Sequence, residues 1–279
     1  MKKGINAWCI PAETPVAEAF ALCKKYGFHG IELNMTEEAP EGDRVGNVLS
    51  LSTTETEWAK IADYSKEYGI LLPSLSSGLF WKYPLTSPDS DIREKSKEII
   101  KTMIDAAAYL GCGVILVVPG LVTPAVSYRD AYDRAITSLK EVAPYAEKKG
   151  IIIGIENVWN KFLLSPLEMA AFIDEVGSPF VKSYLDVGNV LQFSFPQHWI
   201  TALGNRIAAV HVKDFDTKIG NITGFTRLMK GSMPWQETVQ ALKSIGYDGF
   251  LTAELGAADP HQLMAETSDA LDKIIAMKE

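Results

Sequence analysis

The stretch Ile151-Ile152-Ile153-Gly154-Ile155-Glu156 sets the reading of this chain. Four isoleucines within five positions leave no polar face, so periodicity does not mark a half-solvated strand. The run is also too short for a buried helix, and it follows the Lys-Lys-Gly that closes an amphipathic segment. A β-branched run of this kind fits a parallel strand covered on both faces. It ends in a carboxylate, Glu156, where an apolar strand meets a loop.

Working outward, the same unit recurs from end to end. Strands are expected at 4–9, 30–34, 71–75, 113–118, 151–156, 181–186, 207–212 and 250–254. Between them lie helical patterns at 15–26, 54–68, 88–110, 127–149, 165–176, 196–203 and 234–245, with a terminal helix from Pro260. Thr54-Glu55-Thr56-Glu57 has the form of a capping box. Glycine stands at or just past most of the helix ends, the place of the left-handed residue that closes a helix. Eight strands alternating with eight helices argue for an α/β chain folded as a single (β/α)₈ TIM barrel over residues 1–279. A doubly wound open sheet is the rival, but no Gly-x-Gly-x-x-Gly or Walker loop follows any strand. Two long connections, 35–52 and 215–233, follow strand C-termini and are expected to act as binding loops.

Composition narrows the function. The chain has 279 residues, 47% hydrophobic and 22% charged, with a formal net charge of −8 and no basic block. That disfavours nucleic acid as a partner, because phosphate neutralisation needs a cationic footprint. Cys9, Cys23 and Cys112 are widely spaced and suggest no disulfide framework. No export signal or membrane-length apolar run is apparent, and the expected location is cytoplasmic.

Four consecutive strands end in metal-ligand residue types: Glu156, Asp186, His211 and Glu254. A closed barrel would bring them to one point at the C-terminal rim. Three carboxylates packed together repel one another and are costly to bury, and a divalent cation resolves both problems. The hard, thiolate-free donor set favours one octahedral ion, Mn²⁺ first, with Mg²⁺ or Co²⁺ as alternatives to a structural zinc. Four protein ligands leave two coordination positions for a vicinal hydroxy-carbonyl.

The segments Ile-Gly-Ile-Glu156-Asn157-Val158-Trp159-Asn160, Tyr-Leu-Asp186-Val187-Gly188-Asn189, Val-His211-Val-Lys213-Asp214 and Thr-Ala-Glu254-Leu255 resemble the xylose-isomerase-like barrel superfamily. Within it the chain is similar to the sugar and sugar-phosphate isomerase/epimerase group, which includes ketose 3-epimerases of the D-tagatose type. The resemblance implies metal ligation by Glu156, Asp186, His211 and Glu254, with Glu156 and Glu254 also the catalytic acid/base pair. Two positions depart from that pattern. Phe162 stands where those epimerases carry a second glutamate, and Asn189 where they carry a histidine. The endonuclease IV branch needs more histidines than His29, His198, His211 and His261 supply.

The expected chemistry is proton transfer at C3 of a ketose through an enediolate, one glutamate removing the proton and the other returning it to the opposite face. An isomerase of the hydroxypyruvate type and a lyase resembling inosose dehydratase are the alternatives on the same metal site. Trp8, Glu32, Asn189 and Lys213 are the candidate substrate-binding residues, with Glu32 an alternative orienter of a ligand. The cluster Phe80-Trp81-Tyr83 is read as loop packing or an oligomer surface, and Arg227 and Lys230 as a solvated face. A small-molecule sugar or sugar phosphate is the expected partner, with the chain assembling as a homodimer or homotetramer, without nucleic acid or membrane.

Overall fold

The computed structural model describes residues 1–38, 44–256 and 259–277. Eight parallel strands close on themselves: β1 Lys2–Asn6, β2 Gly30–Thr36, β3 Ser74–Ser76, β4 Val114–Val117, β5 Ile152–Glu156, β6 Val181–Asp186, β7 Ile207–Val212 and β8 Phe250–Ala253. Each pairs with its chain neighbours, and β1 joins β8 through Ile5 opposite Ala253 and β2 through Asn6 opposite Glu32. The outer ring is α1 Val16–Lys25, α2 Glu55–Tyr68, α3 Ser90–Leu110, α4 Tyr128–Lys149, α5 Pro166–Val176, α6 Pro196–Leu203, α7 Trp235–Ser244 and α8 Pro260–Ile275. The expected (β/α)₈ barrel is the observed fold.

Local chemistry accounts for the element ends. The Thr54 and Glu57 side chains form the expected capping box of α2. Gly111 and Gly150 close α3 and α4 at φ of 75° and 72°, a conformation that costs a residue with a Cβ but not glycine. Helix α3 buries Ile99, Ile100, Met103 and Ile104, each contributing roughly 1.5–3 kcal/mol by leaving water.

Most strand ends lie within two residues of expectation, and the first and third strands depart furthest. The first strand stops at Asn6, because the Asn6 side chain accepts from the Trp8 amide at 2.8 Å and starts a 3₁₀ turn over Ala7–Cys9. The third strand begins at Ser74 rather than Leu71. Pro73 has no N–H to give a ladder, and Leu71 makes only an isolated bridge to Gly30.

The barrel interior is unusually polar on one side. Asn6, Glu32, Asn34, Ser74 and Ser76, from β1, β2 and β3, are buried and bonded to one another. Tyr184 crosses from β6 to reach Glu32 Oε1 at 2.7 Å and Ser74 Oγ at 3.0 Å. Gly154 on β5 gives it room: a Cβ there would lie 3.0 Å from the Tyr184 Cβ and 3.1 Å from Val114 Cγ1.

The connection at 215–233 is structured. Asp214–Phe215 pairs antiparallel with Phe225–Thr226, and Asp214 pins the loop by accepting from the amides of Phe215 and Met233 and the indole of Trp235. In the other long connection, Leu49–Ser50 pairs beside Met35–Thr36, and positions 39–43 of that expected loop lie outside the described residues. Among the described residues, no helix is long and apolar enough to cross a membrane.

Candidate metal centre and active site

The C-terminal rim of the barrel gathers the four expected ligands. Glu156 is the last residue of β5 and Asp186 the last of β6. His211 on β7 stands opposite both Asp186 and Thr252, and Glu254 follows β8 with its amide still bonded to Val212 O. One donor atom from each lies within 4.8 Å of all the others. Three carboxylate oxygens and an imidazole nitrogen converging in this way fit a single divalent cation. A further sign of fit is Asp186 Oδ2, fully buried and without a hydrogen bond. Its close neighbour is an ammonium, Lys213 Nζ at 2.9 Å.

The quartet divides into a buried pair and an accessible pair. Asp186 and His211 have no solvent exposure. Glu156 and Glu254 line a cavity of about 770 Å³ above them. His211 Nδ1 lies 3.3 Å from both Glu156 Oε1 and Glu254 Oε2. Its Nε2 lies 2.6 Å from Glu32 Oε2. Glu32 also accepts from Asn6, Ser74 and Tyr184; burial raises its carboxyl, but the charge and bond of His211, with the Ser74 and Tyr184 bonds, outweigh it and hold the group below the ordinary range. An ionised carboxylate only accepts, so Nε2 carries the proton and Nδ1 is the nitrogen presented to the quartet.

Electrostatics separate the two glutamates. Burial pushes Glu156 up to about 7, reinforced by the nearby Glu254 charge. Burial acts the same way on Glu254, but Lys213 and His211 outweigh it and hold that carboxyl well below its usual range. Asp186 is raised by burial, offset in part by Lys213. For His211 burial opposes the charged form, yet Tyr184, Glu32 and Glu254 raise it well above the ordinary imidazole value.

The expected substrate residues fall in different places. Trp8, Asn189 and Lys213 line the cavity. Glu32 does not: it is fully buried and bonded to His211 Nε2. Asn189 donates its amide N–H to Asp186 Oδ1 at 2.8 Å and its side-chain N–H to Asn157 O at 2.9 Å. Asn157, not singled out from sequence, pairs its side chain with both the N–H and C=O of Asp186. Trp81, expected from sequence in loop packing or an oligomer surface, lines the cavity, as do Trp159, Phe225 and Arg227. Phe162 is instead buried against Tyr128, Tyr132 and Phe172, so the position of the extra glutamate in tagatose-type epimerases belongs here to the core. The interior network was not singled out from sequence, and its one trace there is a polar residue alternating with apolar ones, as in Glu32-Leu33-Asn34 and Ser74-Leu75-Ser76.

Comparison with known proteins agrees with this architecture. The L-ribulose-5-phosphate 3-epimerase UlaE of Escherichia coli is 24% identical over 274 residues, covering 98% of this chain and 93% of that protein. A crystal structure of D-psicose 3-epimerase with D-tagatose, from Clostridium cellulolyticum H10, superposes with a TM-score of 0.79 at 20% identity, covering 99% of each chain. The IolI protein, in a crystal structure with a bound zinc atom, gives a TM-score of 0.82 at 17% identity, covering 99% of this chain and 98% of its own. The family profile described as xylose isomerase-like TIM barrel matches residues 20–274, and the chain belongs to that family.

Proposed function

We propose that this protein is a ketose (or ketose-phosphate) 3-epimerase whose Glu156, Asp186, His211 and Glu254 hold one divalent cation, Mn²⁺ by the hardness of the donor set. The observation that carries the reading is the division of the quartet: only the two glutamates reach the cavity, and they approach the same His211 nitrogen from two strands. A pair of carboxylates at the floor of a sugar-sized cavity is what inversion at one carbon requires, one to take a proton and one to return it. The names of the similar proteins, among them 3-epimerases of ribulose 5-phosphate and psicose, support the same chemistry.

The cation, when bound, would supply Lewis acidity to a carbonyl and an adjacent hydroxyl oxygen of the sugar. A free carboxylate is too weak a base, at a pKa near 4.3, to deprotonate an ordinary carbon α to a ketone. The protein's own contribution is placement. Asp186 and His211 are held rigidly, Asp186 by Asn157 and Asn189 and His211 by Glu32. The cavity is lined by Trp8, Trp81, Trp159 and Phe225, aromatic residues suited to pack on a sugar and displace water from it. Exclusion of water strengthens every charge interaction below.

Solvent exchange tests this. Metal-loaded protein incubated in D₂O with ribulose 5-phosphate, psicose, tagatose and fructose should place deuterium at C3 of at least one of them. Labelling confined to C1 would establish an aldose–ketose isomerase instead. No exchange at any carbon, with Mn²⁺ bound, would remove the proposal.

A further inference from the structure

Lys213 sits where the quartet would need a cation. Its Nζ lies 2.6 Å from Glu254 Oε2 and 2.9 Å from Asp186 Oδ2. These are not peripheral oxygens. Asp186 Oδ1 is already occupied by the Asn189 amide, which leaves Oδ2 as the free donor. Glu254 Oε2 is the oxygen that also faces His211 Nδ1. The ammonium therefore lies between oxygens of two of the residues that would hold a metal ion, and offsets the repulsion of their charges.

We propose that Lys213 is a tethered placeholder: it neutralises Asp186 and Glu254 before metal uptake, yields those oxygens to the ion, and swings its ammonium into the cavity toward the substrate. The inference rests on the metal reading of the quartet. The geometry permits the movement. The Lys213 stem lies against Gly188, where even a Cβ would come within 2.3 Å of Lys213 Cγ, so the backbone end is fixed while the head pivots. Nζ is already 5.4 Å from the centroid of the Phe225 ring, and both residues line the cavity. That ring offers the displaced ammonium a favourable face. Charge accounting favours its staying nearby. Three ligand carboxylates more than neutralise a divalent ion and leave one negative charge, which would oppose the anion forming on a deprotonated sugar. An ammonium beside the site cancels it.

The test uses the whole protein with Mn²⁺ alone and no sugar. Acylation of Lys213 by an amine-reactive ester, followed by peptide mass mapping, is expected to be slow in metal-free protein and to rise at least about tenfold on saturation with Mn²⁺. An unchanged or reduced rate on metal binding would overturn the proposal. In calorimetry a Lys213→Met variant should bind Mn²⁺ about tenfold more tightly than the parent, since no ammonium competes. Equal or weaker binding would also overturn it. Both readouts are independent of the epimerase reading: increased labelling without sugar exchange leaves the placeholder standing, and C3 exchange with unchanged labelling removes the placeholder alone.

Discussion

The imidazole of His211 and the carboxylate of Glu32 face each other at 2.6 Å, both fully buried. Glu32 makes no contact with the cavity, yet it determines which nitrogen His211 presents to it.

Glu32→Gln should therefore weaken metal binding while leaving the barrel folded. A glutamine can keep its oxygen toward Asn6 and His211 and turn its NH₂ to the Ser74 and Tyr184 hydroxyls, which can rotate to accept. What is lost is the charge that makes Nδ1 a better donor. Substitutions of this kind cost about ten- to a hundredfold in metal affinity. Titration calorimetry with Mn²⁺ checks it, and unchanged affinity would show that Glu32 is only structural. Glu32→Ala should do worse, leaving the His211 Nε2–H buried without its acceptor at about 1–3 kcal/mol, while Asn6 keeps Asn34 and Ser76.

Gly154 predicts a packing penalty at the same level of the barrel. A side chain there meets Tyr184 Cβ at 3.0 Å, Val114 Cγ1 at 3.1 Å and the Ile115 carbonyl at 3.2 Å. Two of these three neighbours are rigid strand atoms or β-branched groups. Gly154→Val should cost about 1–3 kcal/mol in denaturant unfolding through overpacking. Because Tyr184 must shift to accommodate it, metal affinity should fall as well.

How much of this was legible in sequence depends on the residue. The convergence of Glu156, Asp186, His211 and Glu254 was legible because each member ends an apolar run, and a charged residue on a buried strand has few explanations. Lys213 was legible by its two-residue offset from His211 on the same strand face. The interior network was not. Asn6, Ser74 and Ser76 are short polar residues that look like turn formers, and Pro73 shifts their strand away from the apolar Leu71-Leu72. Tyr184 looked like one more apolar position before Asp186, although its hydroxyl crosses the barrel to Glu32. The place of Trp81 at the cavity was not legible, because the short helix Leu79–Lys82 that carries it has no periodic signature, whereas neighbouring Phe80 is core.

Asp214 anchors the seventh connection and should govern sugar binding without touching sugar. It holds the Phe215 and Met233 amides and the Trp235 indole, and Gly231 passes so close that a Cβ would lie 2.2 Å from its Oδ1. The loop it closes carries Phe225 and Arg227 to the cavity. Asp214→Ala should loosen that wall, raising KM about tenfold with kcat changed much less, the pattern of lost binding common to ground and transition states. An equal fall in kcat would instead place Asp214 in the chemistry.

The raised Glu156 carboxyl makes metal-free stability depend on pH with a definite sign. Its folded value is about 7 against 4.5 for an ordinary glutamate, with burial the main cause. Below about pH 4.5 both folded and unfolded chains carry the proton, and the favourable contribution is complete. As pH rises toward 7 the unfolded chain ionises first, so the folded state loses stability by an amount of about 3 kcal/mol, and above 7 the loss is finished. Asp186 and His211, both raised, act with the same sign, whereas Glu32 and Glu254 are depressed and contribute only below their ordinary range. The metal-free midpoint should therefore fall between about pH 5 and pH 8, and Glu156→Gln should flatten part of that slope. A bound cation needs Glu156 ionised and His211 Nδ1 unprotonated, so uptake expels protons and is favoured as pH rises. The Mn²⁺-loaded protein should accordingly gain stability over the same window, and the two melting curves should diverge toward alkaline pH. Parallel curves with and without metal would show that the ion, if it binds, does not engage these groups.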